Sequence, residues 1–204
     1  MHGMRKPKLR ELGEAIRALF LGPFTSRFPH APSPAAPNFR GKIEFDFEKC
    51  IMCGACVEVC PANARTMTDD VEKRLRKNIH HQEKCVYCGQ CVTYCTTKEG
   101  IRHTQEYDLA QVTPEGYDNA IEKELVLCEI CGGVITARDH LRWIAHRVGE
   151  LAYSNPTLSL VLAQDLSDEA VPPRGDTGAY RSDQQRFLCP ACRRSVYLHE
   201  IWGY

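Results

Sequence analysis

The chain has 204 residues, with 26 Lys+Arg balanced by 26 Asp+Glu, a hydrophobic share of 43% and twelve cysteines. Balanced charge provides no bulk field for nucleic acid, and no apolar run approaches the roughly 20 residues that cross a bilayer. With no signal-peptide stretch at the start, the cysteines point to metal ligation in a reducing compartment and away from a disulfide scaffold.

Residues 1–27 carry Arg5, Lys6, Lys8, Arg10, Arg17 and Arg27 against Glu11 and Glu14. Leu9, Leu12, Ile16, Leu19 and Phe20 recur at helical spacing, which predicts a short amphipathic helix ending near Gly22-Pro23. No other apolar sequence precedes residue 43, so its apolar face is expected on a partner subunit or a membrane surface rather than on its own domain. Residues 28–40 read FPHAPSPAAPNFR. The prolines exclude a helix or a central strand and favour an extended arm over a disordered linker.

Residues 41–107 contain C-x-x-C-x-x-C-x-x-x-C twice, as Cys50, Cys53, Cys56, Cys60 and as Cys85, Cys88, Cys91, Cys95. This is the bacterial ferredoxin run, in which three thiolates hold a [4Fe–4S] cube and the fourth ligates the other cluster. The expected ligands are therefore Cys50, Cys53, Cys56 and Cys95 for cluster 1, and Cys85, Cys88, Cys91 and Cys60 for cluster 2. Two-residue gaps let a tight loop wrap three corners of a cube, with Gly54 and Gly89 giving backbone freedom beside the metal. Each half is expected to run strand, cluster loop, a helix beginning at the fourth cysteine, and a second strand. Ile43, Phe45 and Phe47 alternate as an edge strand does. The charged TDDVEKRLRK between the motifs reads as a solvated turn or hairpin. His80 and His81 read as surface or packing residues.

Residues 108–204 hold Cys128 and Cys131 in C-x-x-C-G-G, and Cys189 and Cys192 in C-P-x-C-R. Two such knuckles offer four thiolates to a structural zinc or a single rubredoxin-like iron. Between them Thr136-x-x-Asp139 resembles a capping box, followed by Leu141, Ile144, Ala145, Val148, Leu151 and Ala152 at helical spacing. SDEAVPPRGDTGAYRSDQQ then forms a polar loop back to the second knuckle. His140 and His146 fall on different helix faces and read as packing or surface residues. A dithiol redox role for Cys128 and Cys131 lacks the thioredoxin-like context it needs.

The stretch from FPHAPSPAAPNFRGKIEFDFEKCIMCGACVEVCPANA through CVYCGQCVTYC to TQEYDLA resembles the two-cluster ferredoxin subunit of respiratory complex I. It is also similar to the corresponding subunit of group 4 membrane-bound [NiFe]-hydrogenases. With its tetracysteine tail the chain most resembles the ferredoxin-like subunit of formate hydrogenlyase, particularly at Pro37–Gly41 and Gln105–Tyr107. The resemblance implies docking on a hydrogenase-like small subunit and relay of single electrons to or from a distal electron-transfer subunit. Two departures stand out. Thr96 replaces the proline that usually follows the fourth cysteine, and Arg65 stands where an isoleucine usually packs near a cluster. If Arg65 points inward, its cation is expected to raise the potential of the cluster completed by Cys60; the alternative is that it extends to solvent.

The expected fold is α+β: a bacterial-type 2[4Fe–4S] ferredoxin core (41–107), an N-terminal helix and proline-rich arm (1–40), and a C-terminal tetracysteine region (108–204). The expected protein is an electron-relay subunit, non-catalytic on its own, at the cytoplasmic side of a membrane complex. Its cofactors are two [4Fe–4S] clusters and one Zn2+ or Fe. The equivalent complex I subunit is the nearest alternative. A nucleic-acid-binding zinc module in the tail is a further one, which Arg193 and Arg194 allow and the missing basic, aromatic-lined run argues against.

Overall fold

The computed structural model describes residues 8–22, 25–113, 116–166 and 185–203. All but the last residue of SDEAVPPRGDTGAYRSDQQ lies outside the described residues. The chain divides into two compact units, 1–37 and 38–204.

In the first unit α1 spans Leu9–Leu21. The Glu11 carboxylate accepts the Lys8 backbone N–H at 2.9 Å, satisfying one of the donors a helix start leaves open. Gly22, at φ 79°, ends the helix. The helix buries none of its leucines, Ile16 or Phe20 within its own unit.

The second unit opens with backbone pinned to the core. The Phe39 ring meets Tyr107 edge-on at 5.9 Å, Arg40 donates to the Cys88 carbonyl at 2.8 Å, and the Gly41 N–H donates to the Thr104 carbonyl at 3.0 Å. From there β1 (Ile43–Phe45) pairs antiparallel with β4 (Ile101–His103), so the strand before the first motif closes on the strand after the second.

A four-stranded antiparallel sheet has the order β2 (Arg65–Asp70), β3 (Leu75–His80), β5 (Asn119–Leu127), β6 (Val134–Ala137). TDDVEKRLRK is the hairpin joining β2 to β3. It is solvated on one face only, because alternation turns Arg76, Asn78 and His80 inward, opposite Asp69, Met67 and Arg65. β5 then pairs with β3 over the whole length of β3, from Leu75↔Glu124 to His80↔Asn119. The residues after 107 thus extend the hairpin that lies between the two motifs, and 38–204 is one unit.

β6 runs directly into α4 (Arg138–Val148). The capping box expected at Thr136-x-x-Asp139 does not form. Thr136 is still in the strand, its hydroxyl hydrogen-bonded to His140 Nδ1 at 3.0 Å, while Asp139 pairs with Lys123 at 2.5 Å and Arg142 at 3.3 Å. The expected helical run breaks at Gly149, φ 60°, where the chain tightens into a 3₁₀ segment, Gly149–Ser154, before α5 (Pro156–Leu166). Leu151 is consequently exposed and Ala152 buried. Val126, Leu141 and Val161 form the nest that joins sheet and helices, and each buried aliphatic side chain contributes roughly 1.5–3 kcal/mol. Arg142 bridges α4 to α5 with two bonds to Asp165, at 2.6 and 2.7 Å. The chain returns through α6 (Pro190–Val196). Among the described residues no helix is long and apolar enough to cross a membrane.

Candidate metal centres

The two cysteine motifs repeat in backbone conformation as well as in sequence. Met52 and Tyr87 have φ of 55° and 52°, Gly54 and Gly89 of 84° and 78°, Asn63 and Lys98 of 49° and 65°. Each pair has the same offset as Cys50 and Cys85. Left-handed backbone at a non-glycine residue costs roughly 1–2 kcal/mol, so its recurrence at matching places marks a turn the fold requires. That turn bends the chain between consecutive cysteines, so that successive thiols point into one hollow.

The expected helices beginning at Cys60 and Cys95 are not there. One-turn helices instead lie inside the motifs, α2 at Ala55–Glu58 and α3 at Gln90–Thr93, each launched by its left-handed glycine. They end before the fourth cysteine because the chain must turn back there.

The thiols gather around two hollows. Cys50, Cys53, Cys56 and Cys95 line the first, with Met52, Asn78, Thr96 and Thr97. Cys60, Cys85, Cys88 and Cys91 line the second, with Arg65 and His80. The space free of atoms is about 350 Å³ in the first and 310 Å³ in the second, part of it open to solvent.

Polar donors converge on the sulfurs. At the first hollow Asn78 Nδ2 donates to Cys56 Sγ at 3.3 Å, and the Thr96 and Thr97 hydroxyls lie 3.1 Å from Cys53 Sγ and 3.4 Å from Cys95 Sγ. At the second, the Ala64 N–H donates to Cys60 Sγ at 3.3 Å and the Tyr87 N–H to Cys85 Sγ at 3.4 Å. Donors aimed at sulfur suit thiolate, a metal's ligand form, better than thiol. Burial pushes the Cys50 thiol up to about 11, and also raises Cys56 and Cys91, against which the Arg65 guanidinium pulls. A bound cation resolves that conflict by displacing the protons. The residues therefore fit iron–sulfur clusters.

Arg65 points inward and is 5% exposed. His80 is buried, with neither ring nitrogen hydrogen-bonded, and burial and the Arg65 charge push its pKa down to about 4, leaving a neutral imidazole. His81 is the outward one, paired with Asp118 at 2.9 Å. The sequence reading missed Asn78 and the use of the Thr96 hydroxyl. The period-two alternation of β3 was the signal for the first, and the departure from proline for the second.

The remaining thiols, Cys128, Cys131, Cys189 and Cys192, lie within 4.8 Å of one another. The first knuckle turns at Gly132, φ 69°, with the Cys128 N–H bonded to the Gly133 carbonyl; Cys189 caps α6, accepting the Cys192 N–H at 3.5 Å. Leu188 and Val196 close one side. Burial disfavours the Cys128 thiolate, but backbone N–H groups of Cys131, Cys189 and Ile130 outweigh it and hold the thiol down to about 6. Cys192, hydrogen-bonded to Cys189 and Cys131, is pushed up to about 12. Four thiols competing for protons in so small a space are the donor set of a tetrahedral metal. Arg193 is bonded to Thr157 at 2.8 Å and to the Arg186 carbonyl at 2.7 Å. His140 is bonded within the fold and His146 is exposed.

Residues 49–98 match the 4Fe-4S dicluster domain. Over 180 residues the chain is 37% identical to formate hydrogenlyase subunit 6 of Escherichia coli (strain K12), covering 87% of this chain and 85% of that protein. The chain belongs to the formate hydrogenlyase subunit 6 family. It is also 42% identical over 55 residues to the chloroplastic NAD(P)H-quinone oxidoreductase subunit I of Dioscorea elephantipes, a match that spans 27% of this chain and 31% of that relative. A chain of the membrane-bound sulfane sulfur reductase, an archaeal respiratory membrane complex, overlays 54% of this one and 59% of its own length, with TM-score 0.40 and 26% identity. The match to subunit 6 covers most of both proteins, whereas the likeness to the chloroplastic subunit covers under a third of each.

Proposed function

We propose that this protein is an electron-relay subunit of a membrane-associated oxidoreductase of the formate hydrogenlyase and group 4 [NiFe]-hydrogenase type. Cys50, Cys53, Cys56 and Cys95 hold one [4Fe–4S] cluster, and Cys85, Cys88, Cys91 and Cys60 the other. The clusters supply one-electron storage and transfer; the chain holds them, shields them and connects them to partners. The observation that carries this reading is the sorting of the eight thiols, three from one motif and one from the other, around each of two hollows. Crossed ligation also ties the halves together, since loss of either fourth cysteine loosens the opposite motif.

The tail thiols hold one structural metal, Zn2+ or Fe, that fixes the second knuckle against β5. No open ligand position is needed there, in keeping with the apolar closure by Leu188 and Val196. The protein's partners are a hydrogenase-like small subunit and a distal electron-transfer subunit, and α1 lies on one of them or on the membrane surface at the cytoplasmic side. The match over 87% of the chain, against 27% for the complex I-like relative, favours this parent complex over complex I.

The test is affinity purification of the full chain from detergent-solubilised membranes of its native host. Hydrogenase-type subunits in stoichiometric amounts support the proposal. Recovery with NADH- or quinone-reactive subunits alone overturns the choice of complex.

A further inference from the structure

A guanidinium buried away from water needs a counter-charge, because an unpaired buried ion costs several kcal/mol. Arg65 is 5% exposed, and among the described residues no carboxylate pairs with it. Its two terminal nitrogens go instead to sulfur, one 4.0 Å from Cys56 Sγ and the other 3.7 Å from Cys91 Sγ. The Phe45 ring, 4.9 Å from its carbon, fixes the guanidinium plane. Cys56 lines the first hollow and Cys91 the second.

We infer that Arg65 is a shared counterion of both clusters, a positioning residue that raises the reduction potential of each and offsets the repulsion between their added electrons. The inference rests on the proposed pair of clusters and extends the sequence-based expectation, in which Arg65 served the Cys60 cluster alone. Each cluster takes up one electron on reduction and gains one negative charge. No bond is made or broken and no proton moves, because an arginine stays charged throughout. A cation touching a thiolate of each cluster favours both reduced states over both oxidised states. With both clusters reduced, the guanidinium also lies between the two added charges. The fork geometry matters as well: a single ammonium is a point donor, whereas the guanidinium presents separate N–H groups to two sulfurs.

The test uses the full chain, purified anaerobically, in three forms: wild type, Arg65→Leu and Arg65→Lys. Iron and sulfide are counted first, and each cluster is then titrated potentiometrically by EPR with dithionite and redox mediators. Eight irons in the wild type secure the two-cluster reading independently of the result for Arg65. With R65L, both midpoints are expected to fall by at least a tenfold change in the reduction equilibrium, about 59 mV for one electron. R65K, which keeps the charge and loses the fork, is expected to shift both by less. Should R65L fail to hold eight irons, Arg65→Gln is titrated in its place with the same expectation. A shift confined to one cluster, or to neither, overturns the inference.

Discussion

The two four-thiol hollows share one ligand pattern and one sequence of backbone turns, yet the rest of the chain furnishes them differently. The first is served by Asn78 on Cys56 and by the Thr96 and Thr97 hydroxyls beside Cys53 and Cys95, and shares one nitrogen of Arg65 at Cys56. The second is lined by a buried cation and a buried imidazole, Arg65 and His80, which face each other across the β2–β3 register. The motif decides what is bound, and residues outside it, on the hairpin between the motifs and just after Cys95, decide the environment in which it is held. A relay needs that division, because its clusters are chemically alike and only their surroundings can separate their potentials.

The comparison breaks most visibly at the ligands. Cys95→Ala should lower iron from about eight to about four per chain and leave the same EPR signal as Cys53→Ala, because both remove the cluster of the first hollow. A residual signal matching that of Cys88→Ala instead means ligation is not crossed. The next effect concerns the tail, where the four thiols are proposed to hold a structural metal. Cys189→Ala should release the tail metal at a cost on the order of 5 kcal/mol, lowering Tm by about 10–20 °C. The iron of the clusters should stay, and metal analysis beside a thermal melt reads both. Smaller effects separate the hollows. Asn78→Ala should lower the midpoint of the cluster in the first hollow by roughly 1 kcal/mol for a lost donor, about 40 mV for one electron, and leave the other cluster's midpoint in place. Redox titration showing that this variant moves the cluster of the second hollow contradicts the assignment of the donor. Thr96→Val should be the mildest, a shift in the same direction as Asn78→Ala and on the order of half its size, seen in the same titration.

How much of this was legible in the sequence depends on whether a residue type announces its chemistry. The twelve cysteines did, since two ferredoxin runs and two C-x-x-C knuckles mark them as ligands, and the ferredoxin pattern rather than spacing supplies the exchange of Cys60 and Cys95. The helices were misplaced because the left-handed residues that launch them, Met52 with Gly54 and Tyr87 with Gly89, leave room for only one turn before the fourth cysteine. The charged hairpin hid its inner face, for a buried Arg76 satisfied by Asp69 at 2.7 Å reads in sequence like any solvated pair. The partner of that hairpin, β5, was missed for a related reason. Lys123 interrupts its apolar alternation but lies over the Phe47 ring at 4.2 Å and pairs with Asp139. Thr136 carried a capping signal that tertiary contacts overrode, its hydroxyl being drawn to His140 and Arg76. Arg65 was conspicuous as a departure from the family, but only the folded chain brings Cys56 and Cys91 to opposite ends of one guanidinium.

The most direct test of the whole account is metal and acid-labile sulfide analysis of the anaerobically purified chain, with EPR of its reduced form. About eight irons and eight sulfides with two interacting cluster signals, and one additional zinc or iron, are predicted. Four irons or fewer, with zinc in the cysteine runs, would contradict it and leave a structural metal-binding protein.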